Sequence, residues 1–326
     1  MNPAAVVGTG MAVPEKVLTN ADLERIVDTS DEWITTRTGI KERRIADDST
    51  ATSDLVLEAC KTALRRADLV PGDVDGIIVG TVTPDTPFPS TACWVQKGLG
   101  IRGFPAFDVS AACSGFLYAL SVGNALIRAG AARTVLAAGA ETLTKITNWE
   151  DRGTCVLFGD GAGAVVLREG DGDSGLLSCF LGADGSLGEL LVQPGGGSRR
   201  PASEETVRNN LHTVHMMGNE VFKHAVRAMQ MSAEKALEMA GVTAEDVKLF
   251  IPHQANIRII EATCKRAGIP MDKTCVTIHK YGNVSAGTIP IALAEADHEG
   301  RLSKGDIVLL AAFGGGFTWG AAVLRW

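Results

Sequence analysis

Gly163-Ala164-Val165-Val166-Leu167-Arg168 returns as Gly320-Ala321-Ala322-Val323-Leu324-Arg325, a run of the same small and apolar residue types 157 positions later. Outward from it, a second offset of 173 positions aligns further stretches without gaps. Val135-Leu136-Ala137-Ala138 falls on Val308-Leu309-Leu310-Ala311, Asp73-Val74 on Asp246-Val247, and Ala63-Leu64 on Ala236-Leu237. On the same offset Ile77 to Val79 meets Phe250 to Pro252. A period this long marks a duplicated domain rather than a solenoid repeat. The chain therefore reads as two similar halves, 1–173 and 174–326, meeting in the turn-rich Glu169-Gly170-Asp171-Gly172-Asp173.

Within each half, runs such as 76–80 and 307–313 are continuously apolar, as strands covered on both faces are. They predict mostly parallel sheets joined by crossover helices. Residues 115–127 and 286–294 are apolar nearly all round, the pattern of buried helices, whereas 53–67 and 220–240 are amphipathic. The expected fold is α/β, a five-layer α-β-α-β-α sandwich with two mostly parallel central sheets and two buried helices between them.

Composition narrows the function. With 326 residues, 45% hydrophobic and 21% charged, the chain has material for a substantial core. A net charge of −7 provides no general attraction to nucleic acid or to an anionic membrane. No apolar run reaches membrane-spanning length, and the N-terminus lacks the basic and apolar segments of a signal peptide. Seven cysteines with no C-x-x-C pair and no zinc-like Cys/His spacing point to a reducing, cytoplasmic setting without a metal site. Gly8-Thr9-Gly10 is a poor dinucleotide signature, because the third glycine is missing and Pro14 interrupts the expected helix.

The chemistry concentrates in Ala111-Ala112-Cys113-Ser114-Gly115-Phe116, a small-residue turn between a strand-like run (104–109) and the first buried helix. It reads as a nucleophile elbow. At a helix N-terminus the dipole and free N–H groups are expected to lower the thiol pKa of Cys113. The other cysteines, Cys60, Cys93, Cys155, Cys179, Cys264 and Cys275, read as small buried apolar residues. Under the repeat, Cys113 corresponds to Ala286, three residues after Asn283 in Tyr281-Gly282-Asn283-Val284-Ser285-Ala286-Gly287. His253, in Pro252-His253-Gln254-Ala255-Asn256, maps to Gly80 at the end of a central strand, where α/β folds place chemistry. A glycine-rich segment, Phe313-Gly314-Gly315-Gly316-Phe317-Thr318-Trp319-Gly320, can bring backbone N–H groups to a ligand. Cysteine, histidine and asparagine serve two chemistries, papain-like hydrolysis and decarboxylative carbon–carbon bond formation on thioesters. The papain-type C-G-[SA]-C-[WY] motif is absent, and the duplicated parallel-sheet pattern does not suit that group.

Together, A-A-C-S-G-F around Cys113, P-H-Q-A-N around His253, Y-G-N-V-S-A-G around Asn283 and the terminal F-G-G-G-F-T-W-G resemble β-ketoacyl-acyl-carrier-protein synthase III, a thiolase-like condensing enzyme, over essentially the whole chain. The resemblance implies a ping-pong reaction that initiates fatty acid biosynthesis. Cys113 accepts the acyl group of a short acyl-CoA primer, and the acyl-enzyme is attacked by the carbanion from malonyl-acyl-carrier protein. Backbone N–H groups of Cys113 and Gly315 are implied as the oxyanion hole, and His253 and Asn283 as donors to the malonyl thioester oxygen. An amide does not titrate, so only His253 is expected to make this donor pair pH-sensitive. The resemblance also implies a CoA site of Trp33, Arg37, Thr38 and Arg152, with Asn256 on the pantetheine arm. An indole with guanidinium partners suits a nucleotide. Carrier-protein docking falls to Lys223, Arg258, Lys265 and Arg266; Arg258 and Lys265 are seven apart, on one helix face. A homodimer is implied, with Phe88 lent to the partner's acyl pocket and Leu143 and Phe158 lining it. No cofactor is required. Residues 194–210 run longer than the family norm and are expected to form a disordered or lid-like insertion. An acyltransferase or a condensing enzyme of secondary metabolism is the alternative within the same resemblance.

Overall fold

In the computed structural model, which describes residues 2–326, the apolar runs become strands of two sheets. The first contains β1 (Ala4–Ala12), β2 (Gly76–Gly80), β3 (Ala106–Val109), β4 (Thr134–Thr142) and β5 (Asp160–Glu169), in the order β1-β5-β4-β2-β3. The second contains β6 (Gly175–Ala183), β7 (Val247–Pro252), β8 (Ile307–Gly314) and β9 (Thr318–Arg325), in the order β6-β9-β8-β7. The orders match strand for strand. The partner that β3 lacks survives as one parallel bridge, Phe250 to Thr274, in the place of the Ile77–Ala106 pairing. In each sheet one strand, β5 or β9, is antiparallel to its neighbours, and the rest run the same way. The β8–β9 reversal is local: only three residues join the two strands, too few for a crossover.

Side-chain alternation sorts each strand between layers. On β2, Ile77 and Val79 face the outer helices α2 (Thr52–Arg66) and α3 (Thr91–Gly98), joining Val56, Ala59 and Ala63. Ile78 faces the other way, into the middle layer of α4 (Gly115–Arg128) and α7 (Thr288–His298). There Phe116, Leu120, Ile289 and Leu293 pack between Val165 of one sheet and Ile251 and Leu310 of the other. Leu309 and Val323 point outward to Val226, Met229 and Ile260 of α5 (Gly218–Ala240) and α6 (Ile257–Ala267). The five layers follow. A shorter helix, α1 (Asp31–Thr38), capped by the Ser30 hydroxyl, sits beside this sandwich, with Ile34 against Cys155, Val156 and Ile278.

The middle layer is drawn together by residues without side chains. A Cβ on Gly80 would run into the backbone of Gly115, one on Gly139 into the Ala286 carbonyl, and one on Gly163 into Pro290. Each buried helix is entered through a 3-10 turn, Ala112–Ser114 or Ser285–Gly287, so the second helix starts at Thr288 rather than at 286. Ala112 and Ser285, 173 positions apart, both have φ of 45°.

Some expectations change. Cys60, Cys155, Cys264 and Cys275 are buried, but Cys93, in the first turn of α3, and Cys179, in the middle of β6, are only half-buried. Residues 194–210 are not disordered. Gly196 N–H donates to Arg200 O (2.9 Å), Gly195 N–H to Leu211 O (2.6 Å), and a helix capped by Ser203 spans Glu204–Arg208. Gly139→Ala should cost about 2 to 3 kcal/mol, since the methyl meets backbone that cannot move aside. Urea unfolding would register this as a lower midpoint with an unchanged slope, and an unchanged midpoint would contradict the packing account.

Candidate active site

Both halves deliver their chemistry to one place. Cys113, His253 and Asn283 all line a cavity of about 580 Å³ whose wall also includes Trp33, Arg37, Lys223 and Arg258. Cys113 also lines a second cavity, of about 390 Å³, with Leu143, Ile146, Phe158, Val192 and Val214. The thiol stands at the junction of a polar approach and an apolar pocket.

Cys113 sits in the 3-10 turn before α4, and Gly314 of β8 packs against its backbone so closely that no Cβ would fit. Thr318 Oγ1 donates to Ala111 O at 2.7 Å and ties the same turn to β9. Gly315 lines the apolar cavity beside Cys113. The thiol is not depressed as its helix position suggests. Burial pushes it up to about 12; a hydrogen bond with Ser285 opposes this, and the nearby Glu141 adds to the rise. Desolvation of a thiolate outweighs the favourable position.

His253 follows β7, with its N–H bonded to Ala311 O at 2.8 Å, and its ring is buried. Burial lowers its pKa to about 3, so it is neutral across the physiological range and does not make the donor pair titrate there. Nδ1 lies 2.7 Å from Thr288 Oγ1, which itself reaches Ser285 O at 3.0 Å. That hydroxyl has one proton. Given to Ser285 O, it requires Nδ1–H and leaves Nε2 as an acceptor; given to Nδ1, it requires Nε2–H, a donor. Thr288 therefore supports either tautomer.

Asn283 is held by its own backbone, N–H to Leu157 O at 2.9 Å, and by its side chain. Ser285 N–H donates to Oδ1 at 2.8 Å, which fixes the amide and leaves its NH₂ group for the cavity. Gln254, next to His253, gives Nε2–H bonds to Pro252 O and Cys275 O, and its Oε1 accepts Thr277 and Ile278 N–H. A buried amide with every group satisfied makes this loop rigid.

At the mouth, Arg37 and Arg152 each place a guanidinium 4.9 Å from the Trp33 ring centroid. Arg152 also donates to Asp28 O at 2.8 Å. Thr38 is buried; its hydroxyl donates to Ile34 O (2.6 Å) and accepts from Ile40 N–H (3.0 Å), so it serves to end α1. Asn256 caps α6, with Oδ1 accepting from Arg258 N–H, while the residue lines the cavity. Lys223 and Arg258 reach the mouth; Lys265 and Arg266 are exposed farther along α6 and do not line it. Leu143 and Phe158 line the apolar cavity, but Phe88 does not: it is 86% exposed and lines neither cavity of its own chain. Glu141 and Thr288, outside the sequence motifs, also shape the site, as do Gly314 and Ser285, which lie within those motifs with no role read from them; Ser285 is the repeat mate of Ala112.

Residues 107–185 match the family described as "3-Oxoacyl-[acyl-carrier-protein (ACP)] synthase III", and residues 237–326 match its C-terminal part. A beta-ketoacyl-[acyl-carrier-protein] synthase III of Caldanaerobacter subterraneus is 57% identical, over 99% of this chain and 98% of the relative. One from Roseiflexus castenholzii is 56% identical, over 100% and 98%. Among solved structures, the Aquifex aeolicus 3-oxoacyl-[acyl-carrier-protein] synthase III superimposes with a TM-score of 0.92 at 51% identity, covering 99% of this chain and 100% of that one. The priming β-ketosynthase of the R1128 polyketide pathway gives a TM-score of 0.92 at 32% identity, covering 99% and 96%.

Alkylation of Cys113 by iodoacetamide, followed by peptide mass mapping, should accelerate steadily up to about pH 9, as for a thiol whose thiolate is scarce throughout. A plateau near pH 7 would show a depressed thiol instead.

Proposed function

The chain belongs to the 3-oxoacyl-acyl-carrier-protein synthase III family, and from that premise we propose that it condenses an acyl-CoA primer with malonyl-acyl-carrier protein to begin fatty acid synthesis. One observation carries this reading: a lone thiol, a neutral histidine and an oriented amide share a cavity between a cationic, indole-bearing mouth and an apolar pocket.

In the first half-reaction Cys113 sulfur attacks the acyl-CoA carbonyl. The thiol proton passes to Nε2 of His253 in its acceptor tautomer, and CoA leaves with a proton as the free thiol. N–H groups of Cys113 and Gly315 stabilise the oxyanion, and the acyl chain occupies the pocket of Leu143 and Phe158. In the second, malonyl thioester loses CO₂ and the electrons of that bond form an enolate. Asn283 NH₂ and, in the other tautomer, His253 Nε2–H donate to its oxygen. The enolate carbon attacks the acyl-cysteine carbonyl, which releases the 3-ketoacyl product and the Cys113 thiolate, and a proton from solvent restores the thiol. The acyl-enzyme is the only intermediate carrier, and no cofactor takes part.

Trp33 with Arg37 and Arg152 suits the CoA nucleotide, and Asn256 the pantetheine arm. Thr38 contributes by shaping the wall, since its hydroxyl is occupied. Lys223 and Arg258 at the mouth, continued by Lys265 and Arg266 along α6, form a positive strip on a chain of net charge −7, suited to an acidic carrier protein. Phe88, exposed on its own chain, fills the partner's acyl pocket in a homodimer under this reading. The assignment divides the chain at Asp173, with the nucleophile in 1–173 and the donors in 174–326, and it puts the enzyme in the cytoplasm.

Intact-mass measurement across an acyl-CoA panel, then addition of malonyl-carrier protein, tests the reading: an adduct on Cys113 that is consumed to give ketoacyl-carrier protein is expected, and no adduct with any acyl-CoA would sink it. Asn283→Ala should leave acylation intact and slow decarboxylation on the order of a hundredfold; equal loss in both half-reactions would refute the division of roles. Arg258→Glu should raise KM for malonyl-carrier protein and spare acylation, and an unchanged KM would count against the docking strip.

A further inference from the structure

We propose that Ser285, anchored through its hydroxyl on the buried carboxyl of Glu141, is the positioning residue that aims the Asn283 amide at the second substrate. The proposal rests on the condensing reading above and deepens it.

Three groups of one residue point at three parts of the site. Ser285 N–H donates to Asn283 Oδ1 at 2.8 Å and turns the amide NH₂ toward the cavity. Ser285 C=O accepts from Thr288 Oγ1 at 3.0 Å, and Thr288 Oγ1 holds His253 Nδ1 at 2.7 Å. Ser285 Oγ donates to Glu141 Oε1 at 3.1 Å, across 144 positions of sequence. The N–H and C=O directions are set by a turn whose backbone φ at Ser285 is 45°, so they follow wherever that turn stands.

Glu141 ties that turn to the first half. It lies at the end of β4 with 0% exposure, and accepts from Thr83 Oγ1 (2.6 Å), Thr83 N (3.1 Å), Val82 N (3.1 Å) and Thr81 Oγ1 (3.2 Å), besides Ser285. These donors follow β2, so the carboxylate is fixed to the first sheet and pins a turn belonging to the second half. No step above uses Glu141. A buried carboxyl surrounded by donors from one half, with a single bond to the other, has the form of an anchor.

The repeat provides a control. Ala112, the mate of Ser285, has the same φ of 45° without a hydroxyl, so alanine is compatible with this backbone. Ser285→Ala should therefore fold, with a melting temperature close to the parent, and slow acylation of Cys113, whose thiol Ser285 also bonds, far less than it slows condensation. Condensation kcat should fall about 30- to 100-fold, with KM for malonyl-carrier protein little changed, because the Asn283 amide is mis-aimed rather than removed. Added to Asn283→Ala, the same change should cost under about threefold more, since its main target is already gone. Ser285→Gly, which adopts this φ freely, repeats the test should the alanine variant fail to fold. Condensation within about twofold of the parent, or a full additional loss on the Asn283→Ala background, would overturn the proposal. A parent enzyme that forms both acyl-enzyme and ketoacyl product upholds the condensing reading whatever the variants do; one that forms neither overturns both.

Discussion

Where β4 passes the entry to α7, Gly139 faces the carbonyl of Ala286 with no room for a methyl group, and the same holds where Gly80 meets Gly115 and Gly163 meets Pro290. Backbone touching backbone sets the spacing of the middle layer. Only at this distance can a turn from the second half reach a carboxylate in the first, and only then do Cys113, His253 and Asn283 line one cavity. The cost is conformational: at both helix entries a residue with a Cβ is held at φ of 45°, a strain of order 1 to 3 kcal/mol at each.

The close fit also determines the electrostatics. Burial lifts the Cys113 thiol to about 12 and the Glu141 carboxyl to about 7, and lowers His253 to about 3. Desolvation favours the neutral form of each. In the proposed condensation, oriented dipoles that act only as charge develops carry the thiolate and enolate stages: the backbone N–H groups of Cys113 and Gly315, the Asn283 amide and the His253 ring.

Duplication explains how the labour is shared. The sheets repeat in strand order and the helix entries repeat in backbone geometry, but the side chains diverge at equivalent positions. Cys113 faces Ala286 across the repeat, Gly80 faces His253, and Ser110 faces Asn283. In the proposed reaction one half keeps the nucleophile and the other the donors. The second half also reduces its third strand to a bridge at Thr274, next to Cys275 and Thr277, whose backbone bonds to Gln254 hold the His253 loop.

Much of this is written in the chain as strings. Apolar runs such as Ile77 to Val79 must be strands covered on both faces, and their recurrence at a constant offset yields the two-layer duplication before any contact is known. Cys113, His253 and Asn283 are legible because each lies in a distinctive local segment at related places in the repeat. What depends on distant neighbours is not legible. The second buried helix, α7, reads as starting at 286, yet Ser285–Gly287 form a 3-10 turn. The proton state of Cys113, the tautomers open to His253 and the hub at Ser285 follow from desolvation and hydrogen bonds contributed by residues such as Glu141 and Thr288. The sequence by itself determined which groups are present and in which half. Tertiary structure decided their charge and direction, because both depend on what else is packed within a few ångströms, and sequence separation does not encode that distance.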